Sequence, residues 1–213
     1  TLTSTGNVVS NPLIKNDSAV ILVMSAASKD LYAISNNNFF NVQYSLEDES
    51  TFVANKLTEL GYKKVALVTY KNAFSDTHAK AFKAAYKGQI FEHVLLENTT
   101  DVSSEITKIK AEKPDVIYAP DVAFFFANGM PKLQQFGVKV PVYSTYVAEL
   151  PSVRSLVPDV VYSFPGDLGG SQGAVQELSR QAAELAVAAL KTCGPVVTCI
   201  KENLVTSGKF DAN

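Results

Sequence analysis

Short apolar runs alternate with amphipathic segments through the middle of the chain, from residue 61 to residue 144. Four runs are typical of buried strands, being rich in β-branched and other apolar residues: 61–70, 90–96, 115–119 and 140–144. Three segments between them carry apolar residues at helical spacing: 74–86, 102–112 and 122–136. Strands that alternate with helices of about 10–15 residues predict βαβ units and a parallel sheet with helices on both faces. Such sheets bind ligands where the carboxyl ends of the strands open into loops.

The rest of the chain continues the α/β pattern. Further strands are predicted at 18–24, 39–44 and 160–164. Further helices are predicted at 46–60, 173–190 and 200–204, and shorter ones at 8–15 and from Pro151. Ser45 is placed to cap the helix at 46–60 at its amino end. Gly61 and Gly137 are placed to end helices, because glycine adopts the left-handed conformation found there. The sequence therefore predicts the α/β class throughout.

The composition is that of an ordinary globular protein. Of the 213 residues, 46% are hydrophobic and 19% are charged, which is enough apolar material for a core. The formal net charge of −2 gives no basic footprint for nucleic acid. The apolar runs fall far short of the roughly 18 residues that a membrane-spanning helix needs, so no transmembrane segment is predicted. The first residues are polar and do not resemble a signal peptide, so we expect the chain to begin within a fold.

Two cysteines, Cys193 and Cys199, flank a predicted turn that contains Gly-Pro. A local disulfide is the favoured interpretation, and it would imply an oxidising compartment. Two unrelated reduced thiols are the alternative. The two histidines, His78 and His93, are not at the spacing of zinc ligands, so no metal site is predicted. No cofactor is predicted either.

Two loops that follow predicted strands carry residues suited to a ligand. Residues 25–28 are small and half of them carry hydroxyls, so N–H and O–H groups there suit a carboxylate or another anion. The alternative is a plain turn in which Ser28 caps the next segment. Tyr70 and Phe74, at the carboxyl end of a strand, either line a cleft or pack in the core. The three phenylalanines at 124–126 lie in one helix, so at least one ring should face a cleft, an interface or solvent.

No catalytic motif is present. The sequence has no Gly-x-Ser-x-Gly elbow, no phosphate-binding Gly-Lys-Ser/Thr loop and no Gly-x-Gly-x-x-Gly fingerprint. We expect His78 on a solvated helix face, His93 at an exposed strand edge, and the acidic run 47–49 at a helix start, where it favours the dipole. The chain is therefore predicted not to be an enzyme. A flavodoxin-like enzyme is the alternative, and it would need strongly perturbed carboxylate or histidine pKa values in a charge-rich cleft.

The order and spacing of four segments resemble the type I periplasmic solute-binding proteins, especially the leucine/isoleucine/valine-binding subfamily and its amino-acid receptor relatives. The segments are the strand and small loop at 18–28, GYKKVALV at 61–68, ITKIKAEKPDVI at 106–117 and FGVKVPV at 136–142. Each motif alone is weak, but their order and spacing together are fairly specific. The resemblance covers residues 4–165 well and the remainder loosely.

This resemblance implies two Rossmann-like lobes joined by crossovers, with the ligand held in the cleft between them. Residues 44–165 would form one complete lobe. Residues 1–43 together with 166–213 would form the other lobe, which looks incomplete beside the family. The lobes would close about a hinge at the crossovers. The implied hinge residues are Tyr44, Ser45, Phe164 and Pro165.

The resemblance also implies which residues hold the ligand. An anionic group would be held by two loops that contain Ser4, Thr5, Ala26, Ala27 and Ser28. An aromatic ring from the loop of Tyr70 and Phe74 would line the site. The acidic residue that holds a ligand ammonium in the family falls at Tyr146 here, with Glu149 three residues on and Asp121 in another loop. Either Asp121 or Glu149 replaces the missing charge, or the ligand is not an α-amino acid.

The function implied is extracytoplasmic solute binding. The chain would capture a small polar ligand, an amino acid or a small carboxylate, for the membrane permease of an ABC importer. Its location would be the periplasm or the exterior of the cell envelope. The alternative is the same fold used as a sensor or envelope regulatory module that binds a protein partner. An exposed surface at 124–126 would favour that alternative, and nucleic acid is not an expected partner.

Overall fold

Two compact units make up the chain. The structure is a computed structural model, and it describes residues 19–23, 38–42, 44–97, 99–120, 124–149, 151–156, 159–163 and 173–207. One unit combines residues 1–46 with 167–213, and we call it the discontinuous unit. The other is the single stretch 47–166, and we call it the continuous unit.

Strands and helices alternate along the described residues, as the apolar pattern predicts. The strands are β1 (Ile21–Val23), β2 (Phe39–Asn41), β3 (Lys64–Tyr70), β4 (Gln89–Leu95), β5 (Val116–Tyr118), β6 (Val142–Ser144) and β7 (Val161–Tyr162). The helices are α1 (Leu46–Glu59), α2 (Ala73–Ala85), α3 (Ser103–Glu112), α4 (Phe124–Gln135), α5 (Pro151–Arg154), α6 (Ala174–Cys193) and α7 (Val197–Ser207). A 3₁₀ helix covers Tyr146–Glu149. The predicted α/β class is confirmed.

Most element bounds differ from their predictions by a few residues, and α7 and β7 illustrate the differences. The helix predicted at 200–204 is longer, because α7 begins at Val197. The Val-Val-Thr run at 196–198 has weak helix propensity, so the sequence did not indicate that the helix begins there. The strand predicted at 160–164 is shorter, since β7 pairs with β6 only through Val161 and Tyr162.

The continuous unit is built on a fully parallel sheet with the strand order β4-β3-β5-β6-β7. β3 pairs with β4 along its whole length, from Lys64 opposite Gln89 to Tyr70 opposite Leu95. The chain then returns across β3 to form β5, so the direction in which strands are added reverses between β3 and β5. Open parallel sheets bind ligands at the carboxyl ends of the strands beside such a reversal.

Helices cover both faces of this sheet. On one face a buried cluster joins β3 and β5 to α1 and α2 through Val53, Leu57, Val65, Leu67, Phe82 and Tyr118. On the other face a second cluster joins the sheet to α3 and α4 through Ala66, Val68, Ile106, Ile109, Ile117 and Phe125. Successive residues of β3 alternate between the two clusters. This alternation explains why a strand covered on both sides is apolar without interruption in the sequence.

Glycines end α1 and α4, as predicted. Gly61 has a φ of 82° and Gly137 a φ of 70°, which is the left-handed region. The Gly61 N–H donates to the Thr58 carbonyl and the Gly137 N–H to the Gln134 carbonyl, both at 3.0 Å. These bonds satisfy carbonyls at the helix ends, and the glycines turn the chain back toward the sheet.

His93 is covered, so the expectation of an exposed strand edge was wrong. The residue lies in β4 and is 3% exposed. Its Nδ1 is 3.1 Å from Glu105 Oε2 and its Nε2 is 2.8 Å from Glu112 Oε2. Both glutamates belong to α3, which covers the face of β4 that His93 shares with Leu95. β4 is an edge strand, but its alternation places His93 under a helix.

The discontinuous unit contains, among its described residues, a two-stranded parallel sheet and the helices α6 and α7. β1 pairs with β2. A small buried cluster of Val42, Leu178 and Ala182 packs α6 against the residue that follows β2. Cys193, the last residue of α6, is joined to Cys199 of α7 by a disulfide with an S–S distance of 2.03 Å. The bond holds the two helices together across the turn between them.

Reduction of the Cys193–Cys199 disulfide is expected to destabilise the discontinuous unit by about 2 kcal/mol, through the entropy of opening a short loop. Amide hydrogen exchange with and without reductant checks this, because exchange should accelerate in α6 and α7 and stay unchanged in β3 and β4. A double variant, Cys193→Ser with Cys199→Ser, is the matched control and should not respond to reductant. Equal exchange in oxidised and reduced wild type would contradict the prediction.

Candidate functional site

The carboxyl edge of the five-stranded sheet brings together the residues that follow its strands. Because the strands are parallel, their carboxyl ends all lie at one edge. β3 ends at Tyr70, Ala119 follows β5, Thr145 follows β6 and Ser163 follows β7. The Ser163 N–H donates to the Ser144 carbonyl at 3.2 Å, which ties β7 to β6 where both end. This edge is the candidate site.

Tyr70 and Phe74, the aromatic residues predicted for the site, occupy different surroundings. Tyr70 is buried in the same apolar cluster as Val68 and Leu95, so its ring packs in the core. Phe74 lies in the first turn of α2 and is half-buried. Its ring meets His78 edge-on, with 4.6 Å between ring centroids. Of the two, Phe74 is the ring with surface left for a ligand.

Tyr146 and Glu149 begin and end the 3₁₀ helix after β6. Tyr146 is buried, and its backbone N–H donates to Glu49 Oε1 at 3.4 Å. Glu149 Oε1 accepts a hydrogen bond from the Tyr162 hydroxyl at 3.2 Å and lies 3.9 Å from Arg154 Nη1. Burial, and after it the charge of Glu149, raises the pKa of Tyr162. The Glu149 carboxylate is therefore already engaged within its own unit.

The remaining predicted site residues lie outside the described part of the chain: Ser4, Thr5, Ala26, Ala27, Ser28, Asp121, Phe164 and Pro165. The predicted anion-binding loops therefore stay predictions. Tyr44 and Ser45 are described and stand between β2 and α1, next to the point where the chain leaves the discontinuous unit. Their hinge role stays a prediction, as do the lobe boundaries.

A group of buried polar side chains adjoins this edge, and the sequence did not predict it. We call Glu49, Ser50, His78 and Tyr118 the polar cluster; they come from α1, α2 and β5. Ser50 Oγ is 2.5 Å from His78 Nδ1 and 3.2 Å from the Tyr118 hydroxyl. His78 Nε2 is 4.0 Å from Glu49 Oε2, which is beyond hydrogen-bond distance. Ser50, His78 and Tyr118 are fully buried.

Burial sets the protonation of two members of the polar cluster. It lowers the pKa of His78 from 6.5 to about 3, so the imidazole is neutral at pH 7. Burial is also the main cause that raises the pKa of Tyr118, and the negative charge of Glu49 adds to it. The hydrogen bond with Ser50 acts in the opposite direction and is outweighed. The phenol therefore keeps its proton.

Serine, histidine and glutamate are the residue types of a nucleophilic triad, but the polar cluster is not arranged as one. Ser50 and His78 have no exposed surface on which a substrate could bind. The 4.0 Å separation between His78 and Glu49 also leaves the imidazole without the orienting bond that a triad needs. The perturbed histidine pKa expected of a flavodoxin-like enzyme is present, but it belongs to the interior and not to an open cleft.

The helical spacing of α2 contained the signal that places His78 inside. Ser75, His78, Ala79 and Phe82 lie on one face of the helix, and all four are buried. The expectation of a solvated His78 was therefore wrong. That expectation was based on the polar neighbours of His78 along the sequence. The helix face that His78 shares with Phe82 was not considered. The same spacing places Glu49 on the face of α1 that carries Leu46, Ser50 and Val53, which are all buried, whereas Asp48 is exposed.

Within the described ranges, no group of three or more histidine, cysteine, aspartate or glutamate side chains is placed to hold a metal ion. Over the same ranges, no helix combines the length and the apolar character needed to cross a membrane.

A comparison with protein families decides the identity of the fold. The sequence profile of the family described as periplasmic binding protein matches residues 4–161, well over half of the chain. The chain belongs to the periplasmic binding protein family. This confirms the type I resemblance seen in the sequence motifs, and the carboxyl edge from Tyr70 to Glu149 lies inside the matched span. Among curated proteins, none matches this family member significantly.

Solved structures of type I periplasmic binding proteins share the fold. A leucine-binding protein of Thermotoga maritima has a TM-score of 0.83 at 14% identity, over 93% of this chain and 65% of its own. A branched-chain amino acid transporter substrate-binding protein of Streptococcus pneumoniae, in complex with isoleucine, scores 0.78 at 17%, over 92% and 63%. A solute-binding protein from R. palustris, in complex with benzoate, scores 0.76 at 17%, over 91% and 61%. The present family member thus spans less than two thirds of these chains, and the likeness is one of fold.

Proposed function

We propose that this periplasmic binding protein captures a small carboxylate at the carboxyl edge of its five-stranded sheet. The family match over residues 4–161 carries the proposal, because that span contains every residue predicted to hold a ligand. The geometry of the edge supports it. Phe74 contacts His78, His78 lies 4.0 Å from Glu49, and Glu49 bonds the backbone of Tyr146. Two of the predicted ligand residues are therefore linked through short contacts in one part of the unit.

We further propose that the ligand has no ammonium group. Tyr146, at the position of the family's acidic residue, is an uncharged phenol. Glu149, the nearest replacement, bonds Tyr162 and lies near the guanidinium of Arg154. That engagement reduces what its charge can offer to a ligand amine. Since one related structure holds benzoate and another holds isoleucine, the fold accommodates both kinds of carboxylate. An aromatic or aliphatic acid without an amine fits this chain better.

The wider role in this proposal is delivery of the solute to the permease of an ABC importer outside the cytoplasm. Several related structures are described as parts of ABC transporters. The Cys193–Cys199 disulfide suits an oxidising compartment. In the same proposal, Ser4, Thr5 and residues 26–28 hold the ligand carboxylate. Closure would take place about the chain connections at Tyr44-Ser45 and Phe164-Pro165.

Titration calorimetry and thermal shift with benzoate, 4-hydroxybenzoate, L-leucine and L-isoleucine test the proposal. We expect one of the two benzoates to bind and neither amino acid to do so. A bound acid at about 100 times its dissociation constant should stabilise the protein by about 2.7 kcal/mol. Binding of an amino acid alone would overturn the ligand class and direct attention to Asp121. Absence of binding by all four, in a folded sample, would count against small-carboxylate capture by this chain.

Two phenylalanine variants provide the matched control for that test. Phe74→Ala removes the half-buried ring at the candidate site, and we expect it to weaken binding of the acid about tenfold or more. Phe52→Ala removes a ring that is 61% exposed on α1 and should leave binding unchanged. Equal affinities of the two variants would remove Phe74 from the proposed site.

An exposed aromatic surface at 124–126 would favour the alternative of a regulatory module. Phe125 and Phe126 are both buried in the core cluster, with 6.1 Å between their ring centroids. The side chain of Phe124 lies outside the described residues. The described phenylalanines therefore give no support for a protein-binding surface there, and solute capture is the function that we propose.

A further inference from the structure

Glu49 is the acidic residue of the first turn of α1 that points inward. Its side chain is 3% exposed, whereas Asp48 beside it is exposed. A carboxylate in the first turn of a helix is favoured by the helix dipole, and the three acids at 47–49 share that advantage. The dipole alone does not explain why one of them is buried. Glu49 lies on the face of α1 that carries the buried Leu46 and Val53, and it meets polar groups inside the protein.

The Glu49 carboxylate bonds the ends of two strands. Its Oε1 accepts a hydrogen bond from the Ser163 hydroxyl at 2.5 Å and from the Tyr146 backbone N–H at 3.4 Å. Ser163 directly follows β7, and Tyr146 begins the 3₁₀ helix after β6. The Ser163 N–H also donates to the Ser144 carbonyl at 3.2 Å. One oxygen of α1 therefore connects the segments that leave β6 and β7. Tyr146 lies 97 positions after Glu49 in the chain, and Ser163 lies 114 positions after it.

The bonds to Glu49 are suited to fixing these segments. Hydrogen bonds to an ionised acceptor are shorter and stronger than those between neutral groups. The histidine that faces the other carboxylate oxygen, His78, is neutral at pH 7 and does not compete as a cation. Segments that leave a sheet are held less firmly than the strands, and a binding site needs its loops held to within a fraction of an ångström. Glu49 gives both segments an anchor in a helix.

We propose that Glu49 is a positioning residue for the solute site. Its carboxylate holds Tyr146 in place at the predicted ligand loop. It also holds Ser163, the residue before the predicted crossover Phe164-Pro165. Glu49 itself stands four residues beyond Ser45 of the other predicted crossover. The inference rests on the proposed function for the role of Tyr146, and on the hydrogen bonds alone for the positioning.

Three variants separate positioning from general stability: Glu49→Ala removes the acceptor, Glu49→Gln keeps a carbonyl oxygen without the charge, and Asp48→Asn is the matched control on the same turn. Hydrogen exchange of peptides that contain Tyr146 and Ser163, compared with peptides of α3, gives a readout that needs no ligand. In Glu49→Ala we expect exchange at least tenfold faster in the first two peptides and unchanged in α3. Glu49→Gln should recover most of the protection, and Asp48→Asn should match wild type.

Titration with benzoate or 4-hydroxybenzoate, whichever binds wild type, then tests the role of Glu49 in ligand binding. Glu49→Ala should bind that acid about tenfold or more weakly than wild type, and Glu49→Gln should recover much of the loss. Wild-type affinity in Glu49→Ala, or exchange that rises equally everywhere, would overturn the proposal. If wild type binds no probe, the proposed function fails, and the exchange comparison still decides whether Glu49 holds these segments. If Glu49→Ala does not fold, Ser163→Ala takes its place, because it removes the hydroxyl that donates to Glu49 Oε1 and keeps the carboxylate. Faster exchange than wild type in the Ser163 peptide, with α3 unchanged, then supports the proposal, and equal exchange overturns it.

Discussion

Lowering the pH from 7 to 4.5 is expected to destabilise the wild-type protein by about 2–3 kcal/mol more than a His78→Gln variant. His78 has a pKa of about 3 in the folded protein and 6.5 as its ordinary value. Between those values the unfolded chain takes up a proton that the folded protein excludes. The free energy of unfolding therefore falls by about 1.4 kcal/mol for each pH unit below 6.5, and the fall ends near pH 3. At pH 7 this destabilisation is absent.

Urea unfolding at pH 7, 6, 5 and 4.5 measures the effect, and the difference between the two proteins isolates His78. Carboxyl groups with lowered pKa, such as Glu105 and Asp115, lose their stabilisation at still lower pH and do so in both proteins. Glu49 Oε2 lies 4.0 Å from His78 Nε2, and burial is the cause of the lowered pKa of His78. Parallel pH profiles for wild type and His78→Gln would show that the ring takes up a proton without unfolding, which contradicts the prediction.

The second large effect is expected from Phe82→Ala, which should lower the free energy of unfolding by about 3–5 kcal/mol. Phe82 has no exposed surface. Its ring stacks on Tyr86 at 5.2 Å and lies 4.6 Å from the ring of Tyr118, measured between centroids. Removal of the ring leaves a cavity between α2 and the sheet. Tyr118 of the polar cluster then loses a packing partner. Urea unfolding followed by far-UV circular dichroism measures the loss.

Phe52→Ala is the matched control for Phe82→Ala. It deletes the same side chain from a helix surface, where the ring is 61% exposed, and should change the stability by about 0.5 kcal/mol or less. Similar losses for the two variants, or a loss below about 1 kcal/mol for Phe82→Ala, would show that the region around Tyr118 collapses to fill the space. The prediction would then be wrong.

The fold could be predicted because each element of the continuous unit carries its own local signal. The run Val65 to Val68 is apolar without interruption because the two faces of β3 are both covered. Gly61 and Gly137 mark helix ends through a backbone conformation that other residues adopt with strain. Signals of this kind act within a few residues of sequence, so the order of strands and helices follows from them.

The candidate site was only partly predictable, because its contacts join residues far apart in the chain. Tyr70 and Phe74 could be placed at a strand end, but whether each ring packs or remains available depends on partners from other elements. Helical spacing places Glu49 on the buried face of α1, but no local pattern indicates that it meets Ser163, 114 positions away. His78 and His93 were misplaced for a different reason. Polar residues were assumed to be exposed, whereas helical spacing and strand alternation both placed these rings under neighbouring elements.

The division of the chain into one continuous and one discontinuous unit has a consequence for biosynthesis. Residues 47–166 are contiguous in the sequence, so the five-stranded sheet has all of its strands as soon as β7 has been synthesised. The discontinuous unit cannot complete its core at that stage, because Val42 packs against Leu178 and Ala182 of α6, which is translated much later. In a nascent chain, the early half of that unit therefore keeps an apolar surface uncovered until α6 arrives. We expect that surface to be where folding factors bind the unfinished protein.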